Sequence, residues 1–90
     1  MQTQLEILSQ NEDRRTGMWT FVVRVVVDLG PGRSETGSEV TLGIDNRSLV
    51  DLYDGDCQKY LLSLKDEMVK DFEGARAVRE KAGNLVGKRL

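Results

Sequence analysis

The side chains that could do chemistry in this 90-residue chain include three carboxylates grouped around one glycine. Asp51, Asp54 and Asp56 surround Gly55, and carboxylate oxygens are the ligands that a hard cation such as Ca²⁺ prefers. Their spacing lacks the alternating acidic positions and the final glutamate of an EF-hand loop. Acidic residues at a helix start are also stabilised by the helix dipole. We therefore interpret them as helix-start residues and predict no metal and no cofactor, with a metal site or a carboxylate enzyme as the alternatives.

Histidine is absent from the sequence, and Cys57 is the single cysteine. A Ser-His or Cys-His nucleophile pair is therefore excluded within one chain, and so is a zinc site with the usual Cys/His ligands. A thiol near a helix N-terminus can be reactive. Without a histidine to activate it, we interpret Cys57 as a small core residue. These features predict a protein that is not an enzyme.

A glycine-rich segment, Gly32-Arg-Ser-Glu-Thr-Gly37, has the glycine spacing of a phosphate-binding loop. That motif continues with Gly-Lys-Ser/Thr, whereas Ser38 and Glu39 follow here. The segment also leads into a predicted strand, so no helix dipole would face a bound anion. We interpret residues 29–38 as a long polar hairpin loop, and its ordering on a partner is the functional alternative.

The element that positions these residues is the apolar run 18–28, bounded by Gly17 and by Gly30-Pro31-Gly32. It is rich in β-branched residues, which favour strands. Because side chains alternate across a strand, one face is fully apolar and the other is mixed. A membrane span is excluded, because the run is short and Arg24 lies in its middle. The apolar face consists of Trp19, Phe21, Val23, Val25 and Val27.

Two further strands are predicted on either side of this run in sequence. Residues 2–10 alternate except at Leu8, the polar turn 11–17 follows, and residues 39–45 alternate cleanly. Strands that are neighbours in sequence usually pair. The predicted fold class is therefore α+β: a three-stranded antiparallel meander followed by a long C-terminal helix, with a break into two helices near Gly74 as an alternative.

The helical pattern begins after residue 47. Ser48 is a suitable N-cap with Asp51 three residues later, whereas Gly55 favours a restart with Asp56 as the cap. From residue 57 onwards, apolar residues recur at intervals of three and four, which is typical of a helix with one buried face. That face consists of Cys57, Tyr60, Leu61, Leu64, Met68, Phe72 and Ala75.

Charge is distributed unevenly along the chain. Residues 1–73 carry eight basic and fourteen acidic side chains, and residues 74–90 carry five basic and one acidic. We predict a compact domain over 1–73 and a basic helical extension or partly disordered tail over 74–90. The tail could be solvated, contact an acidic protein or bind nucleic acid, although it lacks aromatic residues for base stacking. Its basic patch consists of Arg76, Arg79, Lys81, Lys88 and Arg89.

Function is predicted from the small core and from apolar positions on the helix. Chains of this size often depend on a partner subunit for stability. Beyond Phe72 the helix would extend past a small sheet, so its apolar positions need another partner. We predict a non-enzymatic interaction or assembly module, a homodimer joined through this helix. The alternative is a nucleic-acid-binding accessory protein. The predicted interface residues are Leu61, Met68, Phe72, Ala75, Val78 and Ala82.

The expected location follows from two features of the sequence. The start of the chain has no basic segment followed by an apolar one, as a secretory signal would. A single cysteine excludes an internal disulfide, the usual feature of small exported domains. We expect a cytoplasmic protein that does not insert into membranes.

Overall fold

The structure, a computed structural model, describes residues 2–90. Within these residues the chain forms one antiparallel sheet followed by helices, so the predicted α+β class is confirmed. The strands are β1 (Gln2–Asp13), β2 (Met18–Gly30), β3 (Arg33–Thr36) and β4 (Val40–Asp45), and the helices are α1 (Asn46–Tyr53) and α2 (Cys57–Ala82).

Strand β2 lies at the centre of the sheet. Strand β1 pairs along one whole side of it, from Gln2 opposite Asp28 to Asp13 opposite Met18. The other side is shared, because β4 pairs with the first half of β2 and β3 pairs with its end. The sequence therefore predicted the order of the main strands but missed β3.

The segment 29–38 is only partly a loop, which corrects the interpretation of this segment as a long hairpin loop. A tight turn at Gly30-Pro31-Gly32 leads directly into β3. Gly30 and Gly32 have φ values of 125° and 71°, which side chains other than glycine rarely adopt. The polar residues of β3 gave no apolar alternation, although their backbone pairs with β2 from Thr36 opposite Val26 onwards.

A β-bulge explains the irregular pattern of the first strand. Ile7 lies opposite Val23 and Ser9 lies opposite Val22, so Leu8 is an extra residue in the ladder. An extra residue shifts the alternation of all residues that follow it. The sequence interruption at Leu8 therefore marks a bulge, and β1 continues beyond it to Asp13.

The apolar face of β2 is buried in the core, as predicted. Phe21, Val23, Val25 and Val27 are each at most 3% exposed. These four side chains meet two clusters of helix residues, so α2 follows the direction of β2. Burying several such side chains contributes on the order of 1.5–3 kcal/mol each.

Helix α2 covers the sheet with the face that its periodicity predicted, as far as Phe72. Tyr60 and Leu61 pack against the Phe21 end of β2, and Phe72 packs against the Val25 end. Met68 contacts both clusters. Apolar residues at intervals of three and four therefore face the central strand along residues 57–72 of the helix.

The helix boundaries show which residue caps α1 and where the helical segment is interrupted. Asp45, not Ser48, caps α1: its carboxylate accepts the Ser48 N–H at 2.7 Å, because the helix begins three residues earlier than expected. The chain then turns through Asp54, with φ 55°, and restarts with Asp56 as N-cap of α2. The helix is interrupted there and runs unbroken through Gly74.

Candidate interaction surface

Helix α2 is attached to the shared side of the sheet, where β4 and β3 are separated by residues 37–39. We call these two strands and the gap the broken edge. Near the start of the helix the Tyr60 hydroxyl donates to the Gly43 carbonyl oxygen of β4 at 3.4 Å. Near its end the Arg76 Nε atom lies 3.8 Å from a carboxylate oxygen of Glu35 in β3.

The gap in the broken edge contacts both the sheet, through β2, and the helix α2. The Gly37 N–H donates to the Val25 carbonyl oxygen at 2.8 Å, which holds the gap against β2. A Cβ atom at Gly37 would lie only 3.1 Å from Cδ2 of Phe72. A side chain at this position would therefore require the Phe72 ring to shift by a few tenths of an ångström. The three attachments lie at the start, middle and end of the broken edge.

A small cavity of about 230 Å³ lies beside this gap. Its apolar side is formed by Val25, Val40 and Phe72. Its other wall carries hydroxyl, carboxylate and guanidinium groups from the two layers. The polar residues are Thr36, Ser38, Asp71 and Arg79.

The opposite edge of the sheet, strand β1, is organised differently. Among residues 2–90, no strand pairs with its outer side. An unpaired edge presents backbone N–H and C=O groups to any extended chain that approaches. Proteins usually protect such edges with lysine, proline, short strands or bulges. Strand β1 is twelve residues long and contains neither lysine nor proline, although the bulge at Leu8 interrupts it.

A groove lies between β1 and α2, and its lining includes Gln4, Gln10, Gln58 and Lys65 beside a set of apolar side chains. Its size is about 600 Å³, and two of its side chains are large, apolar and well exposed: Ile7 at 44% and Leu62 at 54%. Among the strands, α2 lies nearest to β2 and β1, and the groove lies on the β1 side of the helix. The apolar lining residues are Leu5, Ile7, Phe21, Cys57, Leu61 and Leu62.

The structure divides the six predicted interface residues of α2 into two groups. Leu61 and Phe72 are buried against the sheet and Met68 is half-buried against both core clusters, so all three already have partners within the chain. The others lie on the exposed end of the helix; Val78 is 68% exposed. Their part in a dimer stays a prediction. The exposed group is Ala75, Val78 and Ala82.

The five residues of the predicted basic patch have different surroundings in the structure, and their role as a patch stays a prediction. Arg76 lies between the carboxylates of Glu35 and Glu80, at 3.8 and 3.4 Å, and is half-buried. Arg79 lies on the cavity beside the broken edge. Lys81 is in the last turn of α2, where a cation is favoured by the helix dipole. The remaining two, Lys88 and Arg89, follow the helix and are exposed.

The three aspartates around Gly55 are each engaged at a helix end. Asp56 accepts the N–H groups of Gln58 and Lys59 at 3.0 and 3.3 Å. Asp54 accepts from the Lys59 ammonium at 2.8 Å, and this hydrogen bond lowers the pKa of Asp54 and raises the pKa of Lys59. Asp51 pairs with Arg47 one turn away, at 3.8 Å. Capping and local ion pairs therefore account for this cluster.

Cys57, the lone cysteine, is the first residue of α2. Its side chain is half-buried, packs against the core cluster around Phe21 and also lines the groove beside β1. This placement agrees with its interpretation as a small apolar residue of the core. It also makes the thiol a natural reporter for occupancy of the groove.

Sequence reasoning missed the β1 edge as a functional candidate. Leu62 lies next to the predicted helix face and gave no periodic signal of its own. Ile7 was assigned to a strand, and the predicted meander places this strand at an edge of the sheet, but the edge was not considered as a binding surface. A usable signal was present in residues 2–7, which contain one charge, Glu6, and neither lysine nor proline.

Comparison with protein families, with curated proteins and with solved structures finds no match for this chain. Within residues 2–90, no helix combines the length and the apolar character needed to cross a membrane.

Proposed function

We propose that the protein is a small non-enzymatic assembly module that associates with a second copy of itself. The observation that supports this is the accessible surface of the chain, which is 6922 Å². A folded monomer of 10.1 kDa is expected to expose about 5,300 Å². The surplus is roughly 1,600 Å² per chain, whereas a standard interface buries about 800 Å² of each partner.

The elongated shape of the chain supports the same proposal. The radius of gyration is 17.1 Å, compared with about 12 Å for a compact domain of this length. Part of the difference comes from the end of α2 and the residues after it, which extend past the sheet. A chain that covers its sheet incompletely gains stability when another chain completes the cover.

Two surfaces are available for this association. The first is the end of α2 with Ala75, Val78 and Ala82, which the sequence predicted. The second is the β1 edge with its groove, where Ile7 and Leu62 are exposed. Association of either kind requires no catalytic group, in agreement with the helix-capping and ion-pair roles of the aspartates. A cytoplasmic location is part of the proposal, because the single cysteine suits a reducing compartment.

The test is the solution mass of the full-length chain, measured by light scattering over a hundredfold dilution together with the melting temperature. A self-associating chain has the mass of a dimer at high concentration, and its melting temperature falls on dilution, because dissociation removes the stabilisation by the partner. A monomer mass with an unchanged melting temperature across the series would contradict the proposal.

Nucleic-acid binding is the second candidate function, and one observation favours it. Lys81, Lys88 and Arg89 form no salt bridge within the described chain and lie beyond the acidic sheet. Phosphate contacts by these side chains would make binding fall steeply with salt, with a slope of roughly 0.9 per contact. Absence of retention on DNA or RNA at low salt would contradict this candidate.

A further inference from the structure

We propose that the second copy binds at the β1 edge, so that the two β1 strands pair antiparallel and join the two sheets into one. This inference rests on the proposed function and names the surface that performs it. It commits to a second copy of this chain because a two-fold pairing of β1 with itself uses the same unpaired edge in both partners.

The flat part of the edge is residues 2–7, before the bulge at Leu8. Its only charge, Glu6, lies 2.7 Å from the guanidinium of Arg24 on the neighbouring strand. A two-fold axis at Leu5 places Glu6 opposite Gln4 of the second copy, and Thr3 opposite Ile7. This register brings no like charges directly opposite each other, which would be destabilising. The two apolar faces also remain on the same side of the joined sheet.

The distance between the helices in such a pair fits the side chains in the groove. Each α2 lies over its own β2, and the two β2 strands would be separated by three strand spacings, about 14 Å. Directly packed helices lie about 8–10 Å apart. The groove in each copy therefore becomes a channel between two helices, and the exposed Ile7 and Leu62 of both copies fill it.

The surface area is also sufficient. In this register residues 3–7 of the two chains face one another, and a standard interface takes about 800 Å² from each copy. The surplus surface of the chain, roughly 1,600 Å², exceeds this requirement. The broken edge offers no equivalent platform, because β3 is only four residues long and the chain leaves the ladder between Thr36 and Val40.

The test compares charged substitutions in the groove with matched substitutions elsewhere, all in the full chain. Ile7→Lys and Leu62→Glu each introduce a charge where the two copies would meet. Val78→Lys and Val50→Lys introduce one at valines that are 68% and 62% exposed, on the end of α2 and on α1. The dissociation constant is measured by light scattering on dilution, and circular dichroism shows whether each variant is folded.

We expect Ile7→Lys and Leu62→Glu to weaken dimerisation by about tenfold or more, as charges buried in the centre of an interface do. The two valine controls should leave the dissociation constant within about twofold, as surface positions outside an interface do. A second measurement is independent of any variant: amide hydrogen exchange in residues 2–7 of the natural chain should become faster on dilution.

Three results would overturn the inference. A dimer that Val78→Lys dissociates, while the two groove variants do not, would place the interface on α2 and leave the proposed function intact. A dimer whose dissociation leaves exchange in residues 2–7 unchanged would exclude pairing through β1 in the same way. A chain that is monomeric at every concentration would overturn the inference and the proposed function together.

Discussion

The two edges of the sheet differ in how they protect the unpaired backbone groups that a sheet edge exposes. The broken edge consists of short strands, a gap at residues 37–39 and charged residues such as Arg33 and Glu35. It is attached to α2 through contacts at Gly43, Gly37 and Glu35. The β1 edge is one long strand with a single bulge, and the helix beside it leaves a groove.

This difference shows how one helix can protect only part of a small sheet. A helix with its side chains is about 10 Å wide. The axes of three adjacent strands already span about that width, and their side chains extend further. Helix α2 therefore lies over β2, with β1 as the nearest neighbouring strand, and it reaches the broken edge only through side-chain contacts. If these contacts hold the helix in place, substituting each of them should lower the free energy of unfolding. The size of each loss should follow the strength of the contact.

The largest effect is expected from Phe72→Ala. Phe72 is 9% exposed and covers Val25 and Val27 beside the gap in the broken edge. Truncating a buried phenylalanine typically costs about 3–5 kcal/mol, because apolar contacts are lost and a cavity remains. Chemical denaturation followed by circular dichroism measures the free energy of unfolding.

Val78→Ala is the matched control for Phe72→Ala, because Val78 lies on the same helix but is 68% exposed. Its free energy of unfolding should change by no more than about 0.5 kcal/mol when measured at low concentration. Equal losses in the two variants would show that α2 is not held to the sheet through Phe72.

A smaller effect is expected when the gap is overfilled by Gly37→Val. A Cβ atom at this position already lies 3.1 Å from Phe72, so the larger side chain must displace the ring or the gap. Overpacking of this kind costs about 1–3 kcal/mol. The control is Gly43→Val in β4, where a Cβ atom would meet only ordinary contacts at 3.6 Å and beyond. Equal unfolding energies for the two variants would contradict the close packing at Gly37.

The sequence predicted the parts of this fold that depend on apolar periodicity. The alternation of β2 gave its buried face, and the intervals from Cys57 to Phe72 gave the face of α2 that covers it. Both patterns arise because buried side chains must be apolar at the geometric period of their element. The restart at Asp56 was also readable, because Gly55 and an acidic cap occur together.

The sequence did not predict strand β3 or the residue that caps α1. Strand β3 is polar, so only its ladder with β2 identifies it as a strand. Ser48 was preferred as a cap, yet Asp45 at the end of β4 takes this role because strand and helix join without a linker. The groove between β1 and α2 depends on the position of the helix over the whole sheet, and no local pattern in residues 2–7 contains that information.

A third prediction concerns the Tyr60 hydroxyl, which contacts the Gly43 carbonyl oxygen of the broken edge. Tyr60→Phe removes one hydrogen bond and should cost about 1 kcal/mol or less. Burial, with a smaller contribution from Tyr53, raises the pKa of Tyr60 above the usual 10.0. The folded chain favours the neutral hydroxyl of Tyr60. The stability that this preference contributes is complete below pH 10.0 and is lost as the pH rises through the raised pKa.

The measurement for Tyr60 is the free energy of unfolding as a function of pH on the alkaline side. The natural chain should lose stability more steeply above pH 10.0 than Tyr60→Phe does. Tyr53→Phe removes only the smaller contribution to the raised pKa of Tyr60, so this variant should keep most of the steep alkaline loss. Parallel pH profiles for the natural chain and Tyr60→Phe would show that burial of the hydroxyl does not contribute.

The smallest effect is expected at the last attachment, between Arg76 and Glu35. The two charged groups are 3.8 Å apart, and their side chains are 35% and 43% exposed, so water screens much of their attraction. A double-mutant cycle with Arg76→Ala and Glu35→Ala should give a coupling energy of at most about 0.5 kcal/mol. Arg76→Ala alone also removes the pair with Glu80, so the cycle is needed to separate the two contacts.

A coupling energy well above this value would mean that the end of α2 is held to β3 as firmly as its middle is held at the gap. The helix would then be fixed over the broken edge along its whole length. In that case the groove beside β1 would be a permanent feature of the free chain. A coupling near zero would instead leave Tyr60 and Phe72 as the contacts that determine the difference between the edges.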